Sequence, residues 1–399
     1  MASLMCYAIP GKVIGIDDNI VTVDYFGETR RARNEFYELT SGDYIYAQGG
    51  FVIQKISQDE AVGILKNWQE FFFELKAIDL RLAKESKLKN LYQIANSIRQ
   101  KHLGNSCCIH GIIEFSNYCS NNCFYCGIRN SNTGISRYRM EIDEIVKICE
   151  YAVKEFNFKA LVLQSGEDPW YTQDKLISIV EKILRNNPIL LILSIGERDI
   201  ETYKRLYSLG SRGALLRFET SNNFLYEKYR PAHKLQERIE LIKELKALGY
   251  FIFTGFLIGL PGQNQEDILN DIKLAGVLEP DMFSFGPFIP HPNTPLGDVK
   301  QPSLDSILTA ISRTRIMYPK SRILVTSALE TLDRQNGLRL GLLCGANSLM
   351  INVTPEKYQK LYEIYPGRIR TDTKITERIN SVLELLHSIG RAPTDLGLQ

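Results

Sequence analysis

Cys119, Cys123 and Cys126 place three thiols within eight residues, spaced C-x3-C-x2-C. Thiolates at such spacing bind soft metals, and two kinds of site compete. A structural zinc ion takes four protein ligands, yet no fourth cysteine or nearby histidine completes this set, the closest thiols being Cys107 and Cys108 upstream. An iron-sulfur cluster takes one thiolate per iron, so three thiolates on a four-iron cluster leave one iron open to a reacting ligand. The plainer alternative is three incidental core cysteines. That description fits Cys107, Cys108, Cys149 and Cys344, which stand apart from the loop, better than it fits the loop itself.

Such a loop needs a scaffold. From residue 109 onward eight apolar runs alternate with helical patterns, at 109–115, 160–163, 189–195, 214–219, 250–258, 282–285, 323–326 and 348–353. The alternation predicts an α/β fold built as a (β/α)8 TIM-type barrel, in which chemistry gathers at the C-terminal ends of the strands. The thiol loop follows the first run, and the ends of later runs are polar: Gln164 to Pro169, Gly196-Glu197-Arg198, Arg217 with Glu219, and Thr326-Ser327. Arg217 and Glu219 lie two apart in one run, so strand alternation predicts that both face the barrel interior. A charged pair there is costly unless a ligand or partner neutralises it. Arg217 is therefore a candidate for gripping an anionic substrate.

Ahead of this barrel the pattern differs. Short β segments at 12–16, 20–25, 28–34, 44–47 and 51–56 are punctuated by Pro10-Gly11, Asp17-Asp18-Asn19, Phe26-Gly27 and Ser41-Gly42-Asp43. They predict a small closed β-barrel. Beyond Asp59 the periodicity turns helical. The expected organisation is a small β-barrel domain over 1–58, a helical bridge and barrel lead-in over 59–108, and the catalytic barrel with a C-terminal lid segment over 109–399.

Lys plus Arg (48) nearly balances Asp plus Glu (46), a net charge of +2. No general field draws nucleic acid or an anionic membrane. No apolar run approaches the roughly 18 residues of a spanning helix, and the N-terminus lacks the pattern of a secretory signal. The cytoplasm is the expected compartment, where eight cysteines form no disulfide framework.

The C-x3-C-x2-C loop, with Tyr125 before its last cysteine, resembles the signature of the radical S-adenosylmethionine (SAM) superfamily. Glu114-Phe-Ser-Asn-Tyr-Cys119, Leu163-Gln-Ser-Gly-Glu-Asp-Pro169, Ser194-Ile-Gly-Glu-Arg198, Leu216-Arg-Phe-Glu219, Gly259-Leu-Pro-Gly-Gln263, Gly286-Pro-Phe-Ile-Pro-His291 and Tyr362-Glu-Ile-Tyr-Pro-Gly367 resemble the HydE family of [FeFe]-hydrogenase maturases. The resemblance implies a [4Fe-4S] cluster on Cys119, Cys123 and Cys126, with SAM on the open iron and its cleavage to a 5′-deoxyadenosyl radical. It assigns SAM binding to Tyr125, Ser165, Glu167, Glu219 and Arg238, with Gly166-Glu167-Asp168 at the SAM ammonium. Substrate binding falls to Arg217, Thr326, Met350, Tyr362 and Tyr365, the last three forming a lid that excludes water from a radical. A solvated surface arginine is the plainer reading of Arg238. Gly259-Leu-Pro-Gly262 reads as a turn, or as a loop whose lack of bulk lets backbone approach adenine.

The implied reaction is assembly of the dinuclear iron site of [FeFe]-hydrogenase from a cysteine-bound Fe(CO)2CN precursor, an organometallic small molecule. Implied partners are other hydrogenase maturation proteins and a low-potential electron donor. A carbon-skeleton mutase of the methylornithine synthase type and an iron-carbonyl scaffold without radical turnover remain alternatives. Some HydE proteins carry a second cluster near the C-terminus, but residues 368–397 contain no cysteine, so none is expected. The N-terminal Met5-Cys-Tyr-Ala-Ile-Pro-Gly-Lys-Val13, Val23-Asp-Tyr-Phe-Gly27 and Gly42-Asp-Tyr44 resemble the HypC/HupF family of [NiFe]-hydrogenase chaperones. In that family the cysteine beside the initiating methionine helps hold an Fe(CO)(CN)2 unit. The corresponding Cys6 here is preceded by Met1 to Leu4 before the matching methionine.

Overall fold

The computed structural model describes residues 8–85, 88–368 and 374–396; Cys6 lies outside them. Alternating apolar side chains close the first five strands, β1 (Gly11–Asp17), β2 (Ile20–Tyr25), β3 (Glu28–Arg33), β4 (Tyr44–Gln48) and β5 (Phe51–Ile56), into a small barrel of order β1-β2-β3-β5-β4. All pairings are antiparallel except β3 with β5. Helices α1 (Gln58–Glu85) and α2 (Asn90–Leu103) follow. They are locked by a fully buried pair, with Arg99 Nη1 and Nη2 each donating to Asp79 at 2.7 Å.

The second barrel takes β6 (Cys108–Ser116), β7 (Ala160–Ser165), β8 (Leu190–Ser194), β9 (Gly213–Leu215) and β10 (Phe251–Thr254). Past β11 (Leu257–Ile258) comes β12 (Met282–Phe283), and past β13 (Gly286–Pro287) come β14 (Arg322–Val325) and β15 (Ser348–Asn352). Eight strands close in chain order, β15 pairing back to β6, and all run parallel. The eightfold α/β architecture and the small N-terminal barrel are those expected from the sequence.

Two runs end sooner than their hydrophobicity suggests. The run 250–258 breaks after Thr254, where a Cβ on Gly255 would fall 2.2 Å from the Ser284 carbonyl oxygen. Backbones approach there as only glycine permits, and β11 pairs with β13 in a separate two-stranded sheet. The run 214–219 leaves the sheet at Leu215. Glu219 then adopts φ 65°, so strand alternation is not what orients Arg217 and Glu219.

The small barrel stops the N-terminal mouth of the large one. Tyr46, Phe51, Ile53 and Ile56 share one core with residues that begin or line the large barrel's strands, including Ala160, Leu190, Phe251, Met282 and Leu324. Burying a side chain such as Phe51 stabilises the seam by about 2 kcal/mol. Gly49 N–H donates to Asp395 at 2.8 Å and Arg212 Nε reaches Glu35 at 2.8 Å across it. The strand C-termini at the opposite end stay free for a site. Among the described residues no helix is long and apolar enough to cross a membrane.

Candidate active site

β6 sends Ile109, Ile113 and Phe115 into the helix layer and Ile112 into the lumen, and its end releases the thiol loop. That loop is held from three sides. Ser120 N–H donates to the Glu167 carbonyl, Phe124 N–H to Tyr229 and Gly127 N–H to Ile364, each at 2.9 Å. Arg137 gathers the loop's carbonyls, donating to Ile128 at 2.8 Å and Arg129 at 2.7 Å.

The loop opens on a cavity of about 330 Å3 inside the barrel mouth, lined by the three thiols, Tyr125, Ser165, Glu167, Arg217, Glu219, Arg238, Thr326, Met350, Tyr362 and Tyr365. Burial pushes the thiols up from their ordinary range, and at Cys126 the neighbouring Cys123 and Cys119 add to it. The backbone at Asn121 and Glu167 partly offsets that rise at Cys119. Ser165 spends its hydroxyl on the Gly166 carbonyl at 2.7 Å, and Tyr365 shares a hydrogen bond with Ser327 at 2.7 Å.

Charged groups in the cavity's lining pair with one another. Arg217 Nη2 meets Glu219 Oε2 at 3.1 Å; the pair forms in the loop after β9, where Glu219 bridges to Phe256. Arg238 is no surface residue. It is 3% exposed, its Nε reaches Glu197 Oε1 at 2.7 Å, and its Nη2 lies 3.6 Å from Glu167. Burial opposes ionisation of Glu197, but His233, Arg238 and Arg230 overcome it and bring the carboxyl down to about 2.

Two expectations need correction. Asp168 does not face an ammonium, because Arg139 takes both its oxygens at 2.7 and 2.9 Å and Ser116 donates to it at 2.8 Å. The Gly259-Leu-Pro-Gly262 loop is a turn outside the cavity, where Gly259 packs on Pro302 and Tyr229 hydroxyl donates to Pro261 at 2.8 Å. Sequence reasoning also missed Arg230, Glu197, His233, Glu114 and Arg368. Glu197 stands in a polar strand end but carried no role there; Arg230 precedes Pro231, which reads as an ordinary turn. Arg368 pairs with the fully buried Glu114 at 2.5 Å and lies over the Tyr362 and Tyr365 rings at 5.5 and 5.7 Å.

The donor set fits a cluster and a zwitterion. No other cysteine and no histidine lines the cavity among the described residues, and no three His, Cys, Asp or Glu side chains there converge on a single-ion site. Three thiols on one loop are the number that leaves one iron of a four-iron cluster without a protein ligand. Buried Arg230 Nε and Nη2, Arg238 Nη2 and the Tyr125 hydroxyl have no hydrogen-bond partner. Such groups are costly unless a polar ligand meets them.

The chain is similar to known proteins in sequence and in fold. Residues 113–275 match the Radical SAM superfamily, 5–68 the HupF/HypC family and 284–391 the Biotin and Thiamin Synthesis associated domain. The chain is 41% identical to the [FeFe] hydrogenase maturase subunit HydE of Thermotoga maritima, over 76% of this chain and 86% of that one. It is 31% identical to 3-methylornithine synthase of Methanosarcina acetivorans, over 80% and 91%. The solved structure of methylornithine synthase superposes with a TM-score of 0.68 at 28% identity, covering 82% of this chain and 94% of that one. The maturase HydG of Carboxydothermus hydrogenoformans shares the fold, with a TM-score of 0.62 at 20% identity and coverage of 80% and 78%.

Proposed function

Because the chain belongs to the radical SAM family that contains HydE and its paralogue methylornithine synthase, and so is an enzyme that uses a [4Fe-4S] cluster and SAM, we propose that it acts in assembling the dinuclear iron site of [FeFe]-hydrogenase on a cysteine-bound Fe(CO)2CN precursor. The observation that carries this reading is that one cavity gathers the three thiols, Glu219 and Arg238 together with Arg217, Thr326, Met350 and Tyr365.

Cys119, Cys123 and Cys126 hold the cluster, which when bound supplies the electron that cleaves the SAM sulfonium. Glu167 and Glu219 offer carboxylates to the methionine ammonium, while Arg230 and Arg238 offer guanidiniums to its carboxylate. Arg217, 25% exposed at the side chain, grips the carboxylate of a cysteine-bound precursor, and Thr326 offers it the hydroxyl that lacks a partner. Tyr362, Tyr365 and Met350 cover the precursor and exclude water. Other maturation proteins and a low-potential electron donor are the partners this role requires.

The 3-methylornithine synthase relatives support a second reading, in which the same arginines hold a zwitterionic amino acid. The two are separated by infrared spectroscopy of the reconstituted protein given SAM, a strong reductant and either a synthetic Fe(CO)2CN cysteine complex or lysine. The proposal expects the CO and CN bands of the complex to change while lysine is recovered intact. Unchanged bands with a rearranged amino acid would overturn it.

A further inference from the structure

Residues 229–233 form the turn that ends the short helix Asn223–Tyr229, and it is stitched to the thiol loop at two points. Phe124 N–H donates to the Tyr229 carbonyl at 2.9 Å, and His233 Nε2 lies 3.0 Å from Asn121 Oδ1. The second ring nitrogen, Nδ1, lies 3.1 Å from Glu197 Oε2. Glu197 receives Arg238 Nε at 2.7 Å and stands 3.7 Å from Arg230 Nη2, a guanidinium carried by the same turn. Ala232, just before the histidine, has φ 66°, a left-handed conformation an alanine keeps only when its surroundings impose it. The turn is thus held in the shape that aims His233.

This link acts on groups at both of its ends. Asn121 stands two residues from Cys119 on the thiol loop, so moving Asn121 disturbs a thiol of the loop. Glu197 is anionic at any working pH, its carboxyl lying at about 2. It holds in place two buried guanidiniums whose Arg230 Nε, Arg230 Nη2 and Arg238 Nη2 atoms lack partners and which line the cavity.

We propose that His233 is a positioning residue that registers the thiol loop against the Glu197–Arg238–Arg230 set, so that one amino-acid ligand is held from both sides. The inference rests on the radical SAM reading above and deepens it: the ligand class is the methionine end of SAM. His233 itself touches neither cluster nor ligand. Its ring meets a polar group on each side, Asn121 on one and Glu197 on the other, and no thiol is among its hydrogen-bond partners.

The test is SAM affinity of the reconstituted holoenzyme, followed by the change in the electron paramagnetic resonance signal of the reduced cluster as SAM is added, with iron and sulfide counted in the same samples. Partners that orient a ligand set typically cost about 10–100-fold in affinity when removed. His233→Ala is expected to keep wild-type iron and raise the SAM Kd about tenfold or more. His233→Gln, whose amide offers both a donor and an acceptor, is expected to recover most of the loss. Asn121→Ala, which removes the far end of the link, should raise the Kd in the same way. Unchanged SAM affinity in either alanine variant that retains its iron overturns the proposal. Loss of iron from both alanine variants and from His233→Gln overturns it as well, because the link is then structural. Wild type that binds no SAM would instead sink the radical SAM reading on which the inference rests.

Discussion

Arg217 Nη2 stands 3.1 Å from Glu219 Oε2, yet the two side chains are unequally covered, 25% and 11% exposed. Glu219 acts electrostatically on Cys123 and Tyr125 at the thiol end. The guanidinium is the more open partner.

That asymmetry separates two phenotypes. Glu219→Ala should weaken SAM binding, whereas Arg217→Ala should leave SAM affinity near wild type and impair conversion of the iron-cysteine substrate. Truncating one member of a buried, hydrogen-bonded charge pair costs about 2 to 5 kcal/mol, so each effect should exceed about thirtyfold. Equal loss of SAM affinity in both variants removes the distinction.

Cluster content tests the thiols. Anaerobic reconstitution should give about four irons per chain, lost alike in Cys119→Ala, Cys123→Ala and Cys126→Ala, because each thiolate is the only protein ligand of its iron. A count near eight would reveal a second cluster.

The seam between the barrels is one continuous core, so the chain should unfold in one calorimetric transition. Phe51→Ala removes a ring that is 5% exposed and should lower stability by about 3 kcal/mol. Two separate transitions, with only the first shifted, would mean that the small barrel is independent.

Much of this arrangement was legible in the sequence. Parallel strands buried on both faces read as continuous apolar runs, and the eight runs stand out for that reason. Where expectation and structure differ, a local backbone event decided: Gly255 against Ser284 ended β10, and the left-handed Glu219 lies where an extended strand was expected. The thiols were legible from their spacing, and most of their charged neighbours because resemblance named them. Arg230 and His233 were not, since an arginine before a proline and a histidine among surface-like residues become site residues only when their turn docks on the thiol loop.

Asp271 offers a pH test of the loop that carries Glu219. Its carboxylate accepts Ser221 Oγ at 2.6 Å and Gln263 Nε2 at 2.8 Å, but burial outweighs these hydrogen bonds and pushes its pKa up to about 6 from 3.8. A raised carboxyl binds its proton more tightly in the folded state. Its contribution is therefore fully present below about pH 4 and is lost as pH rises through about 6. Stability of the wild type should fall by about 2 to 3 kcal/mol across that window relative to Asp271→Asn. Parallel denaturation profiles for the two proteins between pH 4 and 7 would contradict this.

The most direct test of the proposed chemistry is the yield of 5′-deoxyadenosine from SAM when the reconstituted protein is strongly reduced, with and without the Fe(CO)2CN cysteine complex. The expected result is formation that requires all three loop cysteines and rises when the complex is present. SAM left intact by a protein that carries its full cluster and binds the complex would contradict it and leave an iron-carbonyl scaffold in its place.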